Sequence, residues 1–192
     1  QTCALPIYAP DSKIMFADAS IEPLPSHWAM ELKQQCDVAI HFNDHPLVQL
    51  LSKAGRQSEA ETELMVTVLN YIRMKMFPDL EADRYFKITG RCCLDEGFNL
   101  SQYRNNDNFV YKKRVQSWMH PDLRLLDTRL WSVGSKYLTD AIMMYEQIAP
   151  ITRQGFDLEH ATMACIPQDK LTEFDRVFAK GRVASDGTWR YD

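Results

Sequence analysis

The tripeptide Thr89-Gly90-Arg91 has the residue types needed to hold an anion. It follows five residues in which polar and apolar side chains alternate, as they do in a strand. Glycine lets a ligand approach the backbone closely, and the arginine guanidinium presents paired donors suited to phosphate or carboxylate. The alternative is a simple turn, in which the arginine pairs with Asp95 or Glu96.

A second group of candidate residues, Asp157, Glu159 and His160, opens a helical stretch that Pro167 ends. A carboxylate in such a position can serve as the general base that removes a proton from an attacking hydroxyl. The alternative is structural, because acidic residues in a first helical turn interact favourably with the helix dipole. On that alternative His160 is an ordinary hydrogen-bonding residue.

Composition limits the class of protein. The chain has 192 residues, 45% of them hydrophobic, and a net charge of −4. The negative charge argues against a general binder of nucleic acid or membrane surfaces, although basic residues concentrate in the stretch "YKKRVQSW". No apolar run is long enough for a membrane span. Five cysteines, odd in number and without metal-ligand spacing, favour a reduced, cytoplasmic protein.

Residues 1–7, "QTCALPI", need separate treatment. They resemble the translated sequence of a common short-read sequencing adapter. We therefore predict that they are an assembly artefact, that they make few specific contacts, and that the natural protein continues upstream. The alternative is a genuine strand or loop that is partly apolar.

The elements that position the candidate residues follow from the apolar pattern. Strands alternate with helices in the first half, which predicts crossover units and a parallel sheet. The strongest helix, residues 58–77, has Ser58 and Glu61 spaced as a capping box. The predicted strands are 12–20, 37–42, 84–88, 108–114 and 128–134, the other helices are 25–36, 44–55, 135–149 and 157–166, and residues 175–191 form a hairpin.

These elements predict one α/β domain, doubly wound, with a mostly parallel sheet flanked by helices and an irregular C-terminal part. In such sheets ligands bind outside the carboxyl ends of the strands. Asp18, Asn43 and Thr89-Gly90-Arg91 would line one cleft there. We predict that residues 13–20 and 84–90 are neighbouring parallel strands. An antiparallel pairing, or placement in different sheets, would overturn this architecture and the site derived from it.

The stretch "FKITGRCCLDEGFNL" resembles the "FKISGRY" region of glycosyltransferase-like proteins of bacterial and large-virus surface polysaccharide synthesis. The resemblance continues in order through "NFVYKKR", "TRLWSVGSKYL", "GFDLEHATM" and "GRVASDGT". It implies a single Rossmann-like domain of the GT-A type over residues 8–192. The first strand of that fold would lie upstream of residue 8 and be missing.

The resemblance also implies roles for individual residues. Asp18 would contact the base of a nucleotide-sugar, and Glu159 with Asp157 would supply the catalytic carboxylates. Thr89-Gly90-Arg91 stands where the central strand of the GT-A fold usually ends in a metal-binding DxD motif. No cofactor is therefore assigned, and a divalent Mn²⁺ or Mg²⁺ ion stays an open alternative. The donor-binding residues would be Asp18, Lys87, Thr89, Gly90, Arg91 and Arg129.

The implied function is transfer of a sugar from a nucleotide-sugar donor to a glycan acceptor in polysaccharide or capsule synthesis. The implied partners are the donor and the glycan, with no nucleic acid and no transmembrane segment. A non-catalytic GT-A-like domain that binds a glycan or a protein partner is the alternative. Trp118 and Trp131 are candidates for stacking on a sugar ring, with burial in the core as the competing and favoured interpretation.

Overall fold

The computed structural model describes residues 12–90, 92–104, 106–182 and 189–191. Residues 1–7 and Arg91, both subjects of predictions above, lie outside the described residues. The described chain is mixed α/β and divides into two compact units. We call residues 13–81 with 139–161 the N-terminal unit, and residues 82–138 with 162–192 the C-terminal unit.

The N-terminal unit contains the parallel pair that the sequence pattern predicts. Strands β1 (Met15–Asp18) and β2 (Val38–His41) run parallel, with Met15 opposite Val38 and Asp18 opposite His41. Helix α1 (Ser26–Gln35) supplies the crossover that a parallel pair requires. The other helices of this unit are α2 (Pro46–Lys53), α3 (Gln57–Arg73) and α4 (Leu138–Thr152), followed by the first half of α5 (Leu158–Cys165).

In the core of the N-terminal unit, one face of α3 packs against buried apolar residues. Phe42, Val48 and Val68 are buried together, and Tyr71 stacks on Phe42 with ring centroids 6.3 Å apart. Leu64 and Ile72 pack against the same cluster. The predicted apolar face of this helix is therefore confirmed.

Two predicted helix caps are wrong. Helix α3 begins at Gln57 without a side-chain cap, so Ser58 and Glu61 form no capping box. Glu59 is engaged instead by the guanidinium of Arg56, at 2.5 and 2.6 Å. At α2 the cap is His45, whose Nδ1 accepts from the Val48 amide, and not Asn43 or Asp44.

The C-terminal unit is built from short strands in separate small sheets. A four-stranded sheet has the order β3 (Arg84–Ile88), β8 (Leu130–Gly134), β5 (Phe109–Lys112), β9 (Leu171–Phe174). Within it β8 is antiparallel to both β3 and β5, and β5 is parallel to β9. The remaining strands are β4 (Cys92–Leu94), β6 (Val115–Gln116), β7 (Arg124–Leu125), β10 (Ala179–Arg182) and β11 (Trp189–Tyr191).

The prediction that residues 13–20 and 84–90 are neighbouring parallel strands is wrong. β1 pairs with β2 in a two-stranded sheet, whereas β3 pairs antiparallel with β8 in the four-stranded one. Both segments are partly apolar strands, and apolar pattern alone does not say which edges meet. The predicted, mostly parallel sheet is therefore not what the described residues form, since antiparallel pairs dominate the C-terminal unit.

Several elements of the C-terminal unit match their predictions. The predicted C-terminal hairpin is confirmed by the antiparallel pairing of β10 and β11, with Lys180 opposite Tyr191. Strands β5 and β8 form the buried centre of the four-stranded sheet, as Val110 and Val133 are fully buried. The apolar cluster beside them contains the residues Leu94, Phe98, Tyr103, Val110, Leu130, Val177 and Ala179.

Candidate functional site

The carboxyl end of β3 carries a group of hydrogen-bonded polar side chains in the C-terminal unit. The Lys87 ammonium donates to Thr89 Oγ1 at 2.9 Å and to the Thr128 carbonyl at 2.8 Å. The Thr89 amide donates to the Arg129 carbonyl at 2.9 Å. Three of the predicted donor-binding residues, Lys87, Thr89 and Arg129, therefore lie together.

Arg129 is held by a carboxylate that the sequence analysis did not single out. Asp127 accepts from the Arg129 backbone amide at 2.9 Å and from two nitrogens of its guanidinium. Burial alone would raise the pKa of Asp127, but the hydrogen bonds and charge of Arg129 outweigh it and hold that pKa below its ordinary value. We call Lys87, Thr89, Asp127, Thr128 and Arg129 the lysine cluster.

The signal that would have found Asp127 is its spacing from Arg129. Residues two apart in an extended segment point to the same side, so an Asp-x-Arg sequence can close a local ion pair. The donor-binding role that the resemblance implies for Arg129 stays a prediction. The geometry shows the salt bridge.

Gly90 borders the lysine cluster and is surrounded by space. A Cβ added to Gly90 would have no heavy atom within 4 Å, and its backbone is not left-handed. Glycine is therefore not required here for backbone conformation, and the open space suits the close approach that the sequence predicts. Next in the described chain, Cys92 has a pKa raised by burial, against an opposing effect of the nearby Arg129 charge.

Asp18 occupies the carboxyl end of β1, in the N-terminal unit. One of its carboxylate oxygens accepts from the Ser20 hydroxyl at 2.7 Å, and the other lies 2.7 Å from His41 Nδ1. His41 is the register partner of Asp18 at the end of β2. Sequence analysis missed His41, and its place at the matching strand end is the signal that points to it.

The predicted catalytic acids stand at the start of α5. Asp157 Oδ1 accepts from the His160 amide at 2.9 Å and lies 2.6 Å from His160 Nδ1, so Asp157 caps the helix. Glu159 is half-buried in the first turn, and His160 is buried. We call Asp157, Glu159 and His160 the helix cap.

An open pocket of about 340 Å³ adjoins the helix cap inside the N-terminal unit. Its volume lies at the lower end of the range for small-ligand sites, roughly 300–1,000 Å³. Phe156, 44% exposed, and Asp157 line one side of it, with Arg56 and Glu59 on another. The pocket therefore combines an aromatic surface with charged groups beside a predicted catalytic acid.

The two tryptophans that the sequence analysis named differ in exposure. Trp131 is 2% exposed and stacks on Tyr111 with ring centroids 5.7 Å apart, so its favoured burial is confirmed. Trp118 is 84% exposed, so its favoured burial is wrong. It lies between β6 and β7, whose two-residue ladder leaves the intervening loop open to solvent.

The lysine cluster does not fit a divalent cation. Lys87 and Arg129 are themselves cations, and both Asp127 oxygens already accept hydrogen bonds from Arg129. Within the described ranges, no group of three or more His, Cys, Asp or Glu side chains is placed to hold a metal ion. Likewise, no helix among the described residues has the length and apolar character to cross a membrane.

Comparison with protein-family models, with curated proteins and with solved structures found no match to this chain.

Proposed function

We propose that the chain belongs to a glycosyltransferase that transfers a sugar from a nucleotide-sugar to a glycan acceptor in surface polysaccharide synthesis. The observation that carries the proposal is the lysine cluster beside Gly90. Lys87 brings a positive charge to the segment that precedes Arg91, and the Arg129 guanidinium lies beside it in a salt bridge with Asp127. A leaving diphosphate needs such positive charge, and fixed guanidinium and ammonium groups can supply it without a metal ion.

The strand pairing does not support the GT-A-type sheet that the resemblance implies. β1 pairs with β2 in the N-terminal unit, and β3 pairs antiparallel with β8 in the C-terminal unit. The proposal therefore rests on the side chains of the lysine cluster and the helix cap.

The helix cap supports the step of the proposed reaction in which the acceptor hydroxyl loses its proton. Asp157 is fixed by the His160 amide, and Glu159 follows it in the first turn of α5. A carboxylate held on a helix end can accept the proton of an acceptor hydroxyl. We propose Glu159 as the base and a cytoplasmic reaction, the latter from the odd number and the spacing of the cysteines.

The second candidate function, a non-catalytic domain that binds a glycan or a protein partner, is favoured by one observation. Arg129 already binds Asp127 through both carboxylate oxygens, and Lys87 already donates to two oxygens of the chain. These contacts are those of a cluster that holds two loops together. On this alternative the cluster stabilises the fold and takes no phosphate.

Titration calorimetry with a panel of nucleotide-sugars tests the proposal. We expect one donor class to bind and Arg91→Ala to weaken it about 10- to 150-fold, the scale of a hydrogen bond to a charged group. Arg91→Lys should recover only part of the loss, because an ammonium cannot make a bidentate contact. Arg73→Ala, at an exposed arginine that ends α3, is the control and should bind as wild type.

Two results would overturn the proposal. One is the absence of affinity for every nucleotide and nucleotide-sugar tested. The other is unchanged affinity in Arg91→Ala with a normal circular dichroism spectrum, which would make Thr89-Gly90-Arg91 a turn. Binding of an oligosaccharide in the absence of nucleotide binding would favour the non-catalytic alternative.

A further inference from the structure

The hairpin formed by β6 and β7 exposes an unusual amount of apolar surface for eleven residues. Trp118 is 84% exposed, and three further apolar side chains of the hairpin are between 42% and 48% exposed. Single exposed apolar residues are ordinary, but a contiguous group marks a contact surface. We call this group the apolar tip, and its members are Val115, Trp118, Met119 and Leu123.

Part of the hairpin backbone beside the apolar tip is hydrogen-bonded within the hairpin. The Ser117 amide donates to the Leu123 carbonyl at 2.9 Å, and the Leu123 amide donates to the His120 carbonyl at 2.8 Å. The His120 amide donates to Ser117 Oγ, and the Gln116 side chain donates to the Leu123 carbonyl. These groups can therefore leave water without losing their hydrogen-bond partners, which is the condition for entering a lipid environment.

The charged residues of the hairpin segment itself are mostly positive, and Glu173 and Asp175 from elsewhere in the chain pair with two of them. Residues 112–125 contain four lysines and arginines and a single acidic residue, Asp122, whereas the whole chain is negative. Arg114 is held by Glu173, but Lys113 and Arg124 are exposed. The contact of Lys113 with Asp175 is a 3.4 Å surface pair, of a kind that contributes little and exchanges readily.

We propose that the apolar tip inserts into the headgroup region of an anionic lipid bilayer. Tryptophan is enriched at that depth, because its ring is apolar and its N–H can hydrogen-bond to headgroups. Lys113 and Arg124 would contact lipid phosphates, so that apolar burial and electrostatic attraction act together. The net charge of the chain argues against general binding to membrane surfaces, whereas the exposed apolar and basic side chains of this hairpin favour it locally. The proposal does not depend on whether the chain is a glycosyltransferase.

Co-sedimentation with lipid vesicles tests the proposal. We expect the wild-type chain to bind phosphatidylcholine–phosphatidylglycerol vesicles, to bind pure phosphatidylcholine weakly, and to lose binding as salt screens the charges. Trp118→Ser should reduce the bound fraction at least about fivefold, because the largest apolar side chain of the tip is removed. The matched control is Trp28→Ser, at a tryptophan of α1 that is 54% exposed.

A second pair of variants keeps the test decisive. Met119→Ser should also weaken vesicle binding, and it replaces Trp118→Ser as the test if that variant does not fold. The double variant Lys113→Gln with Arg124→Gln should lose the preference for anionic lipid. The proposal is overturned if the wild type does not sediment with anionic vesicles, or if Trp28→Ser weakens binding equally. It is also overturned if sedimentation velocity without lipid shows a dimer that Trp118→Ser abolishes, since the tip would then contact a second copy.

Discussion

The lysine cluster and the helix cap carry charges of opposite sign, and the chain satisfies them differently. In the lysine cluster, Asp127 binds Arg129 through both carboxylate oxygens, so the charges of that pair are matched within the fold. In the helix cap, Asp157 receives a backbone amide and lies beside a histidine ring, while Glu159 occupies the first helical turn. On the proposed function, a change in the lysine cluster affects both stability and donor binding. In the helix cap, the choice of residue separates the effect on stability from the effect on turnover.

The largest expected effect concerns the helix cap. Glu159→Gln should lower turnover of the bound donor by about 10²–10⁴-fold, the usual contribution of a general base, while donor affinity stays as in wild type. Steady-state kinetics and calorimetry on the same preparations measure the two quantities. Glu146→Gln, an exposed glutamate of α4, is the matched control.

Equal turnover in Glu159→Gln and wild type would remove Glu159 as the base. A parallel loss of donor affinity would instead place Glu159 in the binding of the donor. The first result would give the helix cap a structural role, and the second would give it a role in donor binding. In both cases the proton of the acceptor hydroxyl would go to another group.

Local elements of the fold could be predicted from the sequence because short-range physics determines them. The apolar face of α3 follows from side chains spaced three and four residues apart, and Val68 is buried as that spacing requires. The pairing of Lys180 with Tyr191 follows from two strand patterns around a turn signal. Strand order in the sheets could not be predicted in this way, since it depends on which distant edges meet.

The same division applies to the candidate site. Lys87 and Thr89 both belong to the donor-binding set that the resemblance implies. Their side chains meet at 2.9 Å, because residues two apart on a strand share a face. The part of the site that was missed, Asp127 and His41, depends on how separate segments come together. Asp127 meets the strand through the loop before β8, and His41 meets Asp18 through the register of two strands. The predicted caps of α2 and α3 failed because the helices begin differently: His45 caps α2, and α3 begins at Gln57 without a side-chain cap.

A second prediction separates structure from binding in the lysine cluster. Asp127→Asn should lower the free energy of unfolding by about 2 kcal/mol at neutral pH, because the Arg129 guanidinium loses its charged partner. The pKa of Asp127 is lowered in the folded protein, so its contribution is full above the unfolded value of about 3.9. That contribution is lost as pH falls through the lower, folded-state pKa, and the two proteins should then converge.

Urea denaturation of both proteins between about pH 7 and pH 3 measures this difference. Asp122→Asn, at an exposed aspartate of the same unit, should unfold as wild type at every pH. A stability difference that does not change with pH would mean that the ion pair is not its source. Unchanged nucleotide-sugar affinity in Asp127→Asn would show that the cluster can lose stability without losing the ligand.

The smallest expected effect returns to the helix cap. Asp157→Ala should lower the free energy of unfolding by about 1 kcal/mol, because the His160 amide at the start of α5 loses its acceptor. Asp157→Asn should restore most of that stability, since an amide oxygen still accepts the bond, but it removes the negative charge. Urea denaturation gives the stability of both variants, and turnover of the bound donor gives the catalytic effect.

If Asp157 acts only as a cap, Asp157→Asn turns over the donor at the wild-type rate. If Asp157 also supports catalysis, Asp157→Asn is as stable as wild type but turns over the donor slowly. A loss of stability in Asp157→Asn equal to that in Asp157→Ala would mean that the charge of Asp157, beside His160 Nδ1 at 2.6 Å, matters more than the cap.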